Sequence, residues 1–363
     1  MPRTRSHHGG LRRIGSARGR RAAFGLAACL LGAAVLGAGA PDKAKRKRVP
    51  GPYGRAVMAV AIDPISTSTL YAGTGGGVFQ STDAGATWAP LDPDLVGVSV
   101  GAVAIDHKSP STVYVGTGAG IFKKTASGAT RMVLAHGVGG LFVGAVAVDP
   151  GAPSTVYAGT GGGIFKSVDG GSTWTEAARG LSNQFVTTLA VDPFTTSTLY
   201  AATNGGGIFK SPNGGASWSA INDGLKTTIV LALAIDPRSS GTLYAQTVEG
   251  VFKSGDGGKS WAPINRGLAS RFTLSLAIDP AVSNTLYAGT ASGIYKSLDG
   301  GTTWGAASSG LTSQFVTALA IDPSEPSVLY AGTDGGLFKS TSAGLSWSEL
   351  KRNNEERRAT SGN

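Results

Sequence analysis

Val143-Gly144-Ala145-Val146-Ala147-Val148-Asp149-Pro150, followed by Thr155-Val156-Tyr157-Ala158-Gly159-Thr160, decides the fold because the chain repeats it. Seven copies of this V-x-A-L-A-I-D-P and T-L-Y-A-G-T pattern stand in phase, with aspartates at Asp63, Asp106, Asp149, Asp192, Asp236, Asp279 and Asp322. The intervals are 43, 43, 43, 44, 43 and 43 residues, so one supersecondary unit is copied seven times. That period holds four strands of about five or six residues joined by short turns, the size of a propeller blade. The expected fold is all-β: a single seven-bladed β-propeller over residues 56–350, with four antiparallel strands per blade and one 43-residue repeat per blade.

Within each unit the hydrophobic period is two, which marks strands rather than helices. In the third copy, Val143 to Asp149, Thr155 to Thr160 and Ile164 to Ser167 read as three strands, and a hairpin from Ser167 to Trp174 leads into a fourth. Along the first strand one parity holds Ala61, Ala104, Ala147, Ala190, Ala234, Ala277 and Ala320, and the other holds Ile or Val. A shallow face and a bulky face let neighbouring sheets interdigitate. No capping copy closes either end, so an open stack would leave apolar faces bare; a ring removes that problem. The first and last copies each supply all four strands, so no C-terminal strand is needed to complete blade one.

The third hairpin carries a resemblance. Ser81-Thr82-Asp83-Ala84-Gly85-Ala86-Thr87-Trp88, Ser254-Gly255-Asp256-Gly257-Gly258-Lys259-Ser260-Trp261 and Ser297-Leu298-Asp299-Gly300-Gly301-Thr302-Thr303-Trp304 resemble Asp-boxes, S-x-D-x-G-x-[TS]-W. The chain is thereby similar to the Asp-box (BNR-type) repeat propellers, which include sialidases, xyloglucanases, the sortilin lumenal domain and the photosystem II stability/assembly factors. The resemblance implies a fold and no single activity. The box acid reads as an acceptor for turn amides, its glycine as the positive-φ residue and its tryptophan as a wedge between blades. Asn213 and Ser342 replace the acid in two copies, and copy two reads Lys124-Thr125-Ala126-Ser127-Gly128-Ala129-Thr130-Arg131. Such drift suits a turn and not seven catalytic sites.

The flanking segments differ from the ring. Residues 1–40 hold arginines before the apolar run Ala22 to Ala40, the pattern of an export signal, with a retained membrane anchor over 22–40 as the alternative. Cys29 stands in Leu26-Ala27-Ala28-Cys29, which resembles a lipobox; the other reading is a small apolar residue. Residues 41–55 read as a basic linker and 351–363 as a disordered tail. The first fifty residues carry twelve Lys/Arg against one Asp, whereas 51–350 carry sixteen against nineteen acids, so the ring is slightly acidic despite the chain's net +10. Nucleic acid is thus excluded as a partner inferred from charge. Export to the periplasm or exterior and a monomeric ring are expected, with membrane contact only through an uncleaved N-terminal segment. Cys29 is the only cysteine, so the ring has no disulfide.

What every blade shares is structural, so chemistry is sought in departures from the repeat. Copy five reads Tyr244-Ala245-Gln246-Thr247-Val248-Glu249-Gly250 where others have Y-A-G-T-x-G-G, Asn204 and Asp334 vary the same loop, and Gln184, Arg271 and Gln314 precede Phe185, Phe272 and Phe315. Asn204, Gln246, Glu249, Arg271 and Asp334 are the candidate ligand-binding residues, on one face; ordinary loop drift is the alternative. No arginine triad or tyrosine–glutamate pair of a sialidase emerges, and a xyloglucanase-like cleft would require a second propeller. His7, His8, His107 and His136 form no zinc pattern, and the glycine turns join strand to strand rather than strand to helix, so no metal, no cofactor and no catalytic residue is assigned. The expected function is an exported non-enzymatic binding or assembly module for a protein or glycan ligand. The alternative is an exported glycoside hydrolase, with Glu249 and Asp334 as candidate acids.

Overall fold

The computed structural model describes residues 51–126, 131–134 and 142–351. The expectations for residues 1–50, for residues 127–130 of the copy-two box and for the tail beyond Lys351 lie outside the described residues. Among those described, no helix is long and apolar enough to cross a membrane.

Seven four-stranded antiparallel sheets form seven blades, each built from one repeat in phase. The inner strands are Val57–Ile62, Val100–Ile105, Val143–Val148, Val186–Val191, Val230–Asp236, Thr273–Ile278 and Val316–Ile321. Each inner strand lies beside the next around the ring, and the seventh returns to the first. The last blade ends on its own strand Ser348–Glu349, so blade one is completed by Ala89–Pro90 and not by the C-terminus. Outer strands are two residues long in every blade except the second, where Arg131–Leu134 forms four.

The alternating faces pack as the residue sizes demand. Tyr71, Val78 and Ala61 of blade one meet Val100, Val103, Ile105, Val113 and Val115 of blade two, and the pattern recurs through Tyr200, Ala202 and Ile208 against Val230, Leu233 and Leu243. Ring closure repeats it, with Tyr330 and Leu337 of blade seven against Val57, Leu70 and Phe79 of blade one. A buried apolar residue contributes about 1.5–3 kcal/mol, so seven such seams hold the ring without a covalent clasp.

The repeated acids are turn elements. Asp63 Oδ1 accepts the amides of Ile65 and Ser66 at 2.8 and 3.0 Å, and Asp149 and Asp279 do the same in their blades. In the boxes Asp169 takes Thr173 N at 2.8 Å and Thr173 Oγ1 at 2.6 Å, while the glycine after it has positive φ, 69° at Gly170. Trp218 donates Nε1–H to Ala177 O of the preceding blade at 2.7 Å, and Trp261, Trp304 and Trp347 bond backward in the same way. Trp88 and Trp174 instead bond Gly85 and Gly171 of their own boxes.

A second device links successive blades, and the sequence reading passed over it. The third-strand lysines Lys123, Lys166, Lys210, Lys253, Lys296 and Lys339 donate to the third-hairpin carbonyl of the next blade at 2.7–3.3 Å. Each ammonium lies 5.1–5.4 Å from the ring centre of its blade's second-strand tyrosine. The signal was present as a lysine at a fixed repeat position, with Gln80 the one exception.

Candidate functional site

The loops joining second to third strands, and those leading from one blade to the next inner strand, share one face because every sheet is antiparallel. Here the residue before each inner strand is Ala56, Ser99, Phe142, Phe185, Ile229, Phe272 or Phe315. Blades three to seven thus set a row of large apolar side chains around the channel mouth, and blades one and two interrupt it. Phe185 is 40% exposed, and Phe272 and Phe315 pack at 6.4 Å between ring centres with planes tilted by 43°. Phe142 leans over Gly101 of blade two, where a Cβ would collide with its ring.

The row is pinned by backbone bonds from the second-to-third-strand loops. Asn204 N donates to Phe185 O at 2.9 Å, Ala291 N to Phe272 O at 3.1 Å, Asp334 N to Phe315 O at 3.2 Å and Gly161 N to Phe142 O at 3.3 Å. Two of the sequence-selected positions, Asn204 and Asp334, therefore position aromatic residues through their amides, a role that sequence could not reveal. The Asp334 carboxylate accepts the Ser313 hydroxyl, and Asn183 Nδ2 donates to Asn204 O at 3.3 Å.

Asn204 also explains the single 44-residue interval. Its loop places Gly207 four residues after Thr203, whereas the other blades use three. The extra residue lets Gly205 and Gly207 both donate to Thr228 O, at 3.0 and 2.8 Å, and Asn204 bridges to Ile229 of blade five.

Glu249 and Arg271 are both exposed and flank one seam, the first on the loop of blade five and the second on the lead into blade six. Gln246 stands apart from the other candidates. It is fully buried, pairing with Ala232 and Val251 within its sheet, and is not presented to the mouth. The structure thus brings Asn204, Glu249, Arg271 and Asp334 to one face and puts Gln246 beneath it. The phenylalanines were noted in the sequence only as neighbours of polar residues; their recurrence before the inner strand was the available signal.

No family model matches the chain, and no curated protein matches it. Among solved structures, the GH74 enzyme of Niastella koreensis is similar at 22% identity and a TM-score of 0.71, over 82% of this chain and 54% of that one. YCF48 from Cyanidioschyzon merolae is similar at 16% identity and a TM-score of 0.61, over 81% of this chain and 98% of that one. A structure of YCF48 bound to D1 peptide (16% identity, TM-score 0.62, 81% of this chain and 94% of that one) and the extracellular domain of a hybrid two-component system of B. thetaiotaomicron (16% identity, TM-score 0.61, 80% and 38%) are similar as well. The chain spans about half the length of the GH74 enzymes it resembles. At these identities the likeness is one of fold, and it reaches hydrolases and sensor domains alike.

Proposed function

We propose that the protein is an exported, non-enzymatic binding module that takes a protein segment at the channel mouth. The observation that carries this reading is the row of Phe142, Phe185, Ile229, Phe272 and Phe315, bordered by blade-specific polar residues, on a ring whose repeated acids are occupied in turns. The tilted pair Phe272 and Phe315 suits an apolar side chain better than the flat face of a sugar. A ring that matches nearly the full length of YCF48, which has been solved with a peptide bound, supports the reading by analogy.

The competing reading is a glycoside hydrolase, favoured by the two acids Glu249 and Asp334 on the same face and by the GH74 likeness. Partner capture from the exported fraction with the full chain, run beside a xyloglucan and sialoside substrate panel, separates the two. Capture that is lost in Phe185→Ala with Phe315→Ala supports the binding module. Hydrolysis that is lost in Glu249→Gln or Asp334→Asn defeats it.

A further inference from the structure

At one position of the second strand, the repeat admits almost no side chain. Gly73, Gly116, Gly159, Gly289 and Gly332 occupy it in five blades, and a Cβ added there would lie 2.6–2.9 Å from Cγ1 of Val100, Val143, Val186, Val316 and Val57, the valines that open the next inner strands. Ala202, buried against Val230, fills it in blade four. Blade five alone places a long polar residue there, Gln246, and blade six alone opens its inner strand with a hydroxyl, Thr273, where every other blade has valine. The two exceptions face the same seam.

Gln246 and Thr273 are both fully buried. Thr273 Oγ1 donates to Thr247 O at 3.4 Å, and Glu249 N donates to Thr247 Oγ1 at 3.0 Å, so the polar chain runs from the buried seam to the exposed turn. Both amide atoms of Gln246, Nε2 and Oε1, lack a protein partner. An unpaired buried polar group is costly, and one amide presents a donor and an acceptor together. A seam that carries an unpaired amide beside hydroxyl and carbonyl groups presents the polar partners that a bound polar molecule requires.

We propose that the seam between blades five and six is a binding pocket for one small neutral group that both donates and accepts hydrogen bonds, held by the Gln246 carboxamide and the Thr273 hydroxyl. Water and a ligand amide share this chemistry. The inference stands independently of the peptide-binding reading, because it concerns the interior of the ring.

The test uses the full chain, crystallised once from buffer and once with acetamide. Density for a bound molecule within hydrogen-bond distance of both Gln246 amide atoms supports the pocket; water in both crystals makes it a hydration site, and acetamide in the second shows that it accepts amides. A Gln246 amide bonded directly to protein groups, or a dry seam, overturns it. In solution, Gln246→Ala with Thr273→Val recreates the Ala202–Val230 contact. Gln246→Met removes the amide and deprives any bound molecule of its donor and acceptor there. The double variant should melt above Gln246→Met, and Gln246→Met melting at or above the native chain would overturn the proposal.

Discussion

Lys339 of blade seven donates from Nζ to Ala84 O of blade one at 3.3 Å, and Tyr330 donates its hydroxyl to the same carbonyl at 3.2 Å. The seam where the chain closes on itself is thus locked by the same pair as internal seams, such as Lys123 and Tyr114 on Gly170 O. Thr317 adds a bond to Val57 O at 2.5 Å. Lys339→Met is expected to lower stability by about 1–2 kcal/mol, the worth of a partly buried charged hydrogen bond. The check is the denaturant midpoint at unchanged slope. An unchanged midpoint would show that closure rests on apolar packing alone.

Gln80 stands where the other blades have lysine, and it donates to Tyr71 Oη at 3.2 Å inside its own blade. Blade two, which would receive the link, has Ala126 and Arg131 in place of the box acid and tryptophan. The seam between blades one and two should therefore be the first to open, although its blades are adjacent in sequence. Amide exchange measured by mass spectrometry is expected to show the earliest deuteration in Val113–Thr117 and Gly120–Lys124. Equal protection of all seven second strands would contradict this.

The tryptophans divide by where their indole bonds. Trp218 is 5% exposed and reaches Ala177 of blade three, whereas Trp174 is only partly buried and bonds Gly171 of its own box. Trp218→Ala should cost about 3–5 kcal/mol. Trp174→Ala is expected to cost distinctly less, since its ring is less buried and no hydrogen bond between blades is lost. Thermal melts of the two variants decide the order, and a reversed order would refute the assignment of the wedge.

The seams also set the pH range of stability. Burial, reinforced by the repeat aspartates, pushes Tyr114, Tyr157, Tyr200, Tyr244, Tyr287 and Tyr330 up to about 12 from 10.0. A raised folded value means that their contribution is complete below pH 10 and is lost as pH climbs towards 12. Hydrogen bonds from Thr173 and Thr303 hold Asp169 and Asp299 down to about 2 from 3.8, so their contribution is present above pH 4 and fades as pH falls towards 2. The melting temperature should form a plateau between these limits and drop on the alkaline side over pH 10–12. A Tyr244→Phe variant should soften the alkaline drop; an unchanged alkaline limb would place its cause elsewhere.

The 43-residue interval, the period-two strands and the alternation of Ala61 with Ile62 determined the ring by themselves, because each is a local property copied in every blade and only one closed arrangement buries all copies alike. The roles of Asp63 and Asp83 as turn acceptors were legible for the same reason: their partners lie within four residues. The partners of Lys339 and Trp218, and the burial of Gln246, depend on the neighbouring blade, so only the tertiary structure decided them. Gln246 shows the limit most clearly. Its replacement of glycine marked it as a departure, but whether it faced the channel, the surface or the next blade depended on the strand pleat and on Thr273, 27 residues further on. The phenylalanines gather at the mouth for a similar reason: one residue per blade, weak as a local signal, becomes a surface once ring closure brings the inner strands together.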